Sequence, residues 1–290
     1  MPTFTDVNKD DKLFTEIALR LVGISESGIP FSFGTAFVIR PNLFVTAKHV
    51  VEEFILNSKT TNKKGELKLT FWAIQIEWEN GLHNYNIWQV VKTYLSPHSD
   101  ICLLHVGAYN DTAAKYEKWK VVPVSLIPPN VGDKIMGFGF HATKFDGSIV
   151  SDSGELEHLE LKDTSSKATG IVKEVHMIKR DSSMLSFPCF EVDCCFEPGM
   201  SGGLVLNSNS ELCGIVCSSM PIDDSFYSHV ALLWPILAIE VDFGNSKSGL
   251  NGTQPLSKLV ETGSWKPRGW ENIQVKYQKD DRTPQVMYLA

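Results

Sequence analysis

Residues 34–49 read Gly34-Thr35-Ala36-Phe37-Val38-Ile39-Arg40-Pro41-Asn42-Leu43-Phe44-Val45-Thr46-Ala47-Lys48-His49. Two short apolar runs rich in β-branched and aromatic residues flank an Arg-Pro-Asn turn, the signature of a β-hairpin. The hairpin delivers a histidine to the end of a buried strand. Outward from it the same pattern repeats. Ile17–Ile24, Leu67–Trp78, Asn86–Tyr94, Ile101–Val106 and Val121–Val124 read as strands. So do Lys134–Phe140, Leu156–Leu161, Gly170–Met177, Ser186–Cys195, Gly203–Asn207, Leu212–Ser218 and Ser228–Leu233. Many short strands at near-regular spacing, with few convincing helices, predict an all-β sandwich or barrel architecture. The polar stretch 110–120 separates two clusters of strands, each of ordinary domain size.

Composition narrows the class. The 290 residues are 43% hydrophobic and carry a net charge of -7. An acidic chain repels polyphosphate, which argues against a sequence-independent grip on nucleic acid. No apolar run approaches the roughly 20 residues of a membrane-spanning helix. The polar Met1–Lys12 segment lacks a signal-peptide core, and a cytoplasmic protein is expected. The six cysteines lie mostly in apolar runs and suit core packing in a reducing compartment. Their spacing offers no paired metal-ligand pattern, so neither a metal nor any other cofactor is expected.

Residues 244–255, Gly-Asn-Ser-Lys-Ser-Gly-Leu-Asn-Gly-Thr-Gln-Pro, read as a flexible linker. The segment beyond carries Trp265, Trp270, Tyr277 and Tyr288. Residues 244–290 are net +3 against -10 for the rest, so charge can hold the tail against the body. The expected division is 1–118, 119–243 and a linker plus basic, aromatic tail at 244–290.

Three local patterns carry chemistry. The hairpin ends at His49; Ser99-Asp100-Ile-Cys-Leu-Leu opens an apolar strand with an aspartate; Pro198-Gly-Met-Ser201-Gly-Gly-Leu-Val-Leu sets a serine among glycines before another. A serine hydroxyl needs an imidazole to take its proton, and a carboxylate to hold that imidazole in one tautomer. Flanking glycines let backbone N–H groups converge on an oxyanion. Each pattern alone is ordinary: a histidine after a strand, a turn aspartate, a glycine-rich turn. The order His, Asp, Ser on an all-β background makes them a set. The remaining histidines, His83, His98, His105, His141, His158 and His176, read as structural or solvated. Gly137-Phe-Gly139 lacks the third glycine and helix start of a dinucleotide loop.

As a set the motifs resemble those of the trypsin-like, chymotrypsin-fold serine proteases, in the style of the bacterial trypsin-like and high-temperature-requirement branch. Thr46-Ala-Lys-His49 resembles the family's histidine motif, Ser99-Asp100-Ile-Cys-Leu-Leu its aspartate motif and Gly199-Met-Ser201-Gly-Gly its nucleophile motif. Val131-Gly-Asp-Lys-Ile-Met-Gly-Phe-Gly is similar to the strand that opens the second barrel. The likeness covers roughly residues 15–240. It implies two six-stranded antiparallel β-barrels with a cleft between them, followed here by the short C-terminal extension. It implies His49 as general base, Asp100 as its orienting carboxylate, Ser201 as nucleophile, and the N–H groups of Gly199 and Ser201 as oxyanion hole. The substrate would be a protein or peptide.

The chain departs from that pattern in two places. Secreted relatives carry an aspartate before the nucleophile that pairs with a newly cleaved N-terminus; here it is Met200. The loop must be ordered otherwise, by the tail or by a regulatory protein partner. The residue six before the nucleophile, at the floor of the primary pocket, is Cys195, which removes the usual basis for Lys or Arg specificity. Cys217, Ser218 and Ser219 follow along the pocket wall, and His229 falls near where acid-specific relatives place a histidine, although an incidental strand position is the favoured reading of it. A neutral, small-to-medium apolar pocket is expected, narrowed by Phe196 and Met220. A catalytically silent or latent binding module on the same fold, or an esterase, are the competing functions.

Overall fold

The computed structural model describes residues 4–6, 12–25, 28–58, 70–79, 82–117, 119–145, 149–150, 156–158, 160–222, 225–245, 250–277 and 284–289. The elements of the N-terminal half are β1 (Phe4–Asp6), α1 (Lys12–Ile17), β2 (Ala18–Ile24), β3 (Pro30–Arg40), β4 (Leu43–Thr46), α2 (Lys48–Ser58), β5 (Phe71–Glu79), β6 (Leu82–Leu95), β7 (Cys102–Ala108) and α3 (Asp111–Ala114). Then follow β8 (Lys134–Phe145), β9 (Ile149–Val150), β10 (Leu156–His158), β11 (Leu161–His176), β12 (Cys189–Val192), β13 (Leu204–Asn207), β14 (Leu212–Ile222) and β15 (Ser225–Leu232). The C-terminal segment adds β16 (Glu240–Asn245), β17 (Asn251–Pro255), α4 (Ser257–Glu261), β18 (Ile273–Lys276) and β19 (Gln285–Tyr288).

These strands close two six-stranded antiparallel barrels. The first runs β2-β3-β4-β7-β6-β5 and closes on itself through β2 and β5. The second runs β8-β13-β14-β15-β12-β11, closed by the β11–β8 pairing, with β1 added outside it on β11. Closure pairs the strands of each barrel with one another, and the edge of β11 at 166–168 takes β1. One apolar core cluster spans both barrels: Phe14 stacks on Phe138 at 4.6 Å, and the Arg20 guanidinium lies 4.1 Å from the centre of the Phe140 ring. The central hairpin forms as its sequence reads, with Phe37 opposite Val45 and Asn42 taking φ 61 in the turn.

Three elements differ from the sequence reading. Residues 48–58 form a helix, with Val50, Val51 and Phe54 buried on one face at helical spacing. Val121–Val124 forms no strand; Val124 makes a single bridge to Leu212. Residues 161–176 form one continuous strand, through the polar run Lys162–Thr169, because β8 supplies backbone partners along it. Backbone pairing overrides a missing apolar pattern there.

The stretch that reads as linker is also structured where it is described. Glu240 pairs with Pro255 and Asp242 with Thr253, so β17 is held by the edge of β16. Leu256 and Leu259 are buried beyond it, and Arg268 pairs with Glu211 at 2.9 Å. The Arg268 N–H donates to the Val124 carbonyl, and the Leu126 N–H to the Arg268 carbonyl. The segment is part of the folded body. Leu259→Ala is therefore expected to lower the unfolding free energy by about 2–5 kcal/mol in urea titration, with peptide turnover at 25 °C changed less than twofold.

Candidate active site

Register in the first barrel brings His49 and Asp100 together. β4 and β7 run antiparallel with Thr46 opposite Cys102. His49 follows the end of one strand and Asp100 precedes the start of the other, so both emerge at the same end of the pair. His49 sits in the first turn of α2, where backbone N–H groups have no partner within the helix. Asp100 Oδ1 accepts the His49 backbone N–H at 2.9 Å, and Oδ2 lies 2.7 Å from His49 Nδ1. One carboxylate thus caps the helix and fixes the ring. Its charge also faces the positive end of the helix dipole.

The same contact sets the proton affinity of His49. Burial alone would lower the imidazole pKa. The Asp100 hydrogen bond and charge, helped by Glu53 and Glu52, outweigh that and raise it above its ordinary value. A general base works as the neutral ring, so kcat/KM should rise with pH through a midpoint above about 6.5, the ordinary histidine value. Glu52→Gln with Glu53→Gln should move that midpoint down, read from kcat/KM across pH 5–9.

Cys217 does more than line a wall. Its pKa is driven well above the ordinary thiol value by burial first, then by the charge and hydrogen bonding of Asp100. It stays a neutral thiol beside that carboxylate. All six cysteines are free, with Cys195 half-buried and the others buried.

Ser201 lies in the loop between β12 and β13. Its hydroxyl donates to the Cys217 carbonyl at 3.2 Å, and among the described residues it makes no hydrogen bond to His49. Met200 is fully buried and its N–H donates to the Glu197 carbonyl at 3.0 Å. The backbone takes φ +97 at Gly199 and φ +81 at Gly202, a region that disfavours any other residue. At Gly202 a Cβ would also lie 2.2 Å from the Thr35 carbonyl oxygen. Within the described residues, the N–H groups of Gly199 and Ser201 donate to no acceptor and are available to an oxyanion.

His49, Asp100 and Ser201 line one cleft of about 820 Å³. Cys195, Cys217, Ser218 and Ser219 line it too, as does His98, which reads as solvated in the sequence. Phe196 reaches the cleft, but its ring is buried against Gly137. Ser219 Oγ lies 2.7 Å from Ser228 Oγ, which donates to the Cys194 carbonyl, so hydroxyls tie β14 and β15 to the pocket floor. The side chain of Met220 lies outside the described residues.

His229 does not line this cleft. It is fully buried, its Nε2 is 3.4 Å from Glu191, and its pKa falls to about 4 through burial first, then the positive charges of Arg180 and His176. On β15 it is its neighbour Ser228 that bonds to the cleft-lining Ser219. Among the described residues no group of three or more His, Cys, Asp or Glu side chains is arranged to hold a metal ion. No helix among them is long and apolar enough to cross a membrane.

A family model described as a trypsin-like peptidase domain matches residues 34–215. No curated protein matches the chain. Among solved structures the chain is similar to the active form of the Rv3671c protease from M. tuberculosis, at 14% identity and TM-score 0.47, covering 89% of this chain and 85% of that one. It is similar to the inactive form of that protease at 15% identity and TM-score 0.44, covering 76% and 85%. The serine endoprotease from Yersinia pestis is similar at 14% identity and TM-score 0.42, covering 78% of this chain and 63% of that one.

Proposed function

The chain belongs to the trypsin-like peptidase domain family, and from that premise we propose that it is a serine endopeptidase working through His49, Asp100 and Ser201. The observation that carries this reading is the 2.7 Å contact of His49 Nδ1 with Asp100 in the cleft that also holds Ser201. With Nδ1–H donating to the carboxylate, Nε2 keeps its lone pair and can accept the Ser201 proton. Ser201 Oγ then attacks the scissile carbonyl, and the N–H groups of Gly199 and Ser201 receive the negative charge that develops on its oxygen. The charged imidazole, stabilised by Asp100, returns the proton to the leaving amine. An acyl-enzyme remains on Ser201, and water activated by His49 hydrolyses it.

The substrate is a protein or peptide, with no nucleic acid or membrane involved. The mixed thiol and hydroxyl wall of Cys195, Ser218 and Ser219 suits a neutral side chain next to the scissile bond. The protein acts in the cytoplasm, where its free thiols persist. A regulatory protein partner remains part of the proposal for a chain whose described tail residues do not line the cleft.

One observation favours the competing reading, a silent or latent module: the Ser201 hydroxyl is engaged by the Cys217 carbonyl. Catalytic hydrogen bonds commonly tighten only once substrate is bound, so this geometry is compatible with an active site. Peptide-library cleavage followed by mass spectrometry decides. Cleavage at internal peptide bonds by the wild type, absent with Ser201→Ala, supports the endopeptidase; ester hydrolysis alone would support an esterase; neither would support the silent module.

A further inference from the structure

We propose that Thr35, on β3 of the first barrel, is the positioning residue that holds the oxyanion loop of the second barrel in its working shape. The proposal rests on the serine-peptidase reading and names what replaces the ion pair that Met200 cannot make.

Thr35 is fully buried, and its hydroxyl and backbone N–H both bond to the loop that carries Ser201. Its hydroxyl lies 3.0 Å from the Gly199 carbonyl and 2.9 Å from the Phe140 N–H. An N–H can only donate, so the hydroxyl accepts from Phe140 and must spend its single proton on Gly199. The Thr35 backbone N–H donates to the Ser201 carbonyl at 2.9 Å. The Thr35 carbonyl accepts from Thr46 Oγ1 at 2.7 Å, which fixes Thr35 within its own barrel.

Two hydrogen bonds from one residue therefore grip the carbonyls on either side of Met200. The N–H groups in between and beyond are held as well: Met200 to the Glu197 carbonyl, Gly202 to Val216 and Gly203 to Met200. The peptide joining Gly199 to Met200 is pinned at both ends, its carbonyl by Thr35 and its N–H by Glu197. That peptide separates the two free donors, Gly199 N–H and Ser201 N–H, so its orientation decides whether they converge. Valine would fill the same volume yet leave the Gly199 carbonyl and the Phe140 N–H without this partner.

The test compares Thr35→Val and Thr35→Ser with wild type, using a peptide substrate. Thr35→Val should lower kcat by about 10- to 100-fold, the scale of a displaced catalytic group, with KM changed less than about threefold. Thr35→Ser keeps the hydroxyl and should restore kcat to within about threefold. The pH midpoint of the His49 limb should not move, because among the described residues Thr35 makes no hydrogen bond to His49 or Asp100. Hydrogen exchange adds a readout independent of turnover: amides of 200–203 should exchange faster in Thr35→Val, while those of β14 at 213–215 keep wild-type protection. An unchanged kcat, a rise in KM alone, equal losses in both variants, or unchanged exchange at 200–203 would overturn the proposal. If wild type turns over no substrate, the peptidase reading fails, and the exchange result still decides the role of Thr35.

Discussion

Ser201→Ala is expected to lower peptide turnover by about 10⁶-fold, because the acyl-enzyme route disappears and His49 has no proton to accept. The residual rate should still exceed that of the uncatalysed reaction, since the Gly199 and Ser201-position N–H groups and the cleft remain. The fold should tolerate the change. Among the described residues the Ser201 hydroxyl makes one hydrogen bond, to the Cys217 carbonyl, and the site opens to a cleft that water can enter. The stability loss in urea titration should stay within about 1.5 kcal/mol. A loss of turnover matched by a loss of folded protein would remove the chemical interpretation.

Asp100→Asn carries the second largest effect, about a 10⁴-fold fall in kcat. The carboxylate accepts two hydrogen bonds from His49, one from the ring and one from the backbone. An amide cannot accept at both positions. With its NH₂ toward the ring it would bond to the unprotonated Nδ1 and leave the proton on Nε2, the tautomer that cannot act as base. The sign of the pH effect follows from the same contact. The Asp100 hydrogen bond and charge are the largest influences raising the His49 pKa, so removing them should shift the residual pH limb downward. Stopped-flow or burst kinetics across pH 5–9 would read both effects. A variant within tenfold of wild type would mean that Asp100 holds α2 and not the chemistry.

Much of this arrangement was legible in the sequence, for physical reasons that differ by residue. Strands such as β3, β4 and β14 face apolar cores, and that burial writes alternating or continuous apolar runs into the chain. Gly199 and Gly202 are visible because positive φ admits little else. The proximity of His49 and Asp100 is implied by motif order but fixed only by register, Thr46 against Cys102, which no local pattern reveals.

What the sequence hid is mostly what depends on long-range backbone pairing. The polar half of β11 is a strand because β8 lies beside it. Residues 251–255 have a linker's composition and a strand's hydrogen bonds. His229 stands on the expected strand, fully buried, one residue from the Ser228 hydroxyl that bonds to Ser219. Thr35 stands in the open within the hairpin that announces the fold. Its signal is faint, since a threonine in an apolar strand is unremarkable until its hydroxyl is seen to cross between barrels.

The loop that carries Met200 before Ser201 is held by hydrogen bonds and not by an ion pair among the described residues. Among the described residues no hydrogen bond or ion pair joins 250–289 to 197–203; the tail's anchors include Arg40, Val124, Leu126, Glu211 and Ile239. The bonds that do reach the loop come from Thr35, from Val216 and Cys217 on β14, and from the loop itself.

The most direct measurement is intact-mass analysis after reaction with a fluorophosphonate, which is attacked only by a serine made nucleophilic by its neighbours. One adduct per chain is expected, on Ser201, forming faster as pH rises through the His49 midpoint and absent in Ser201→Ala. No adduct at any pH, or an adduct that persists in Ser201→Ala, would contradict it.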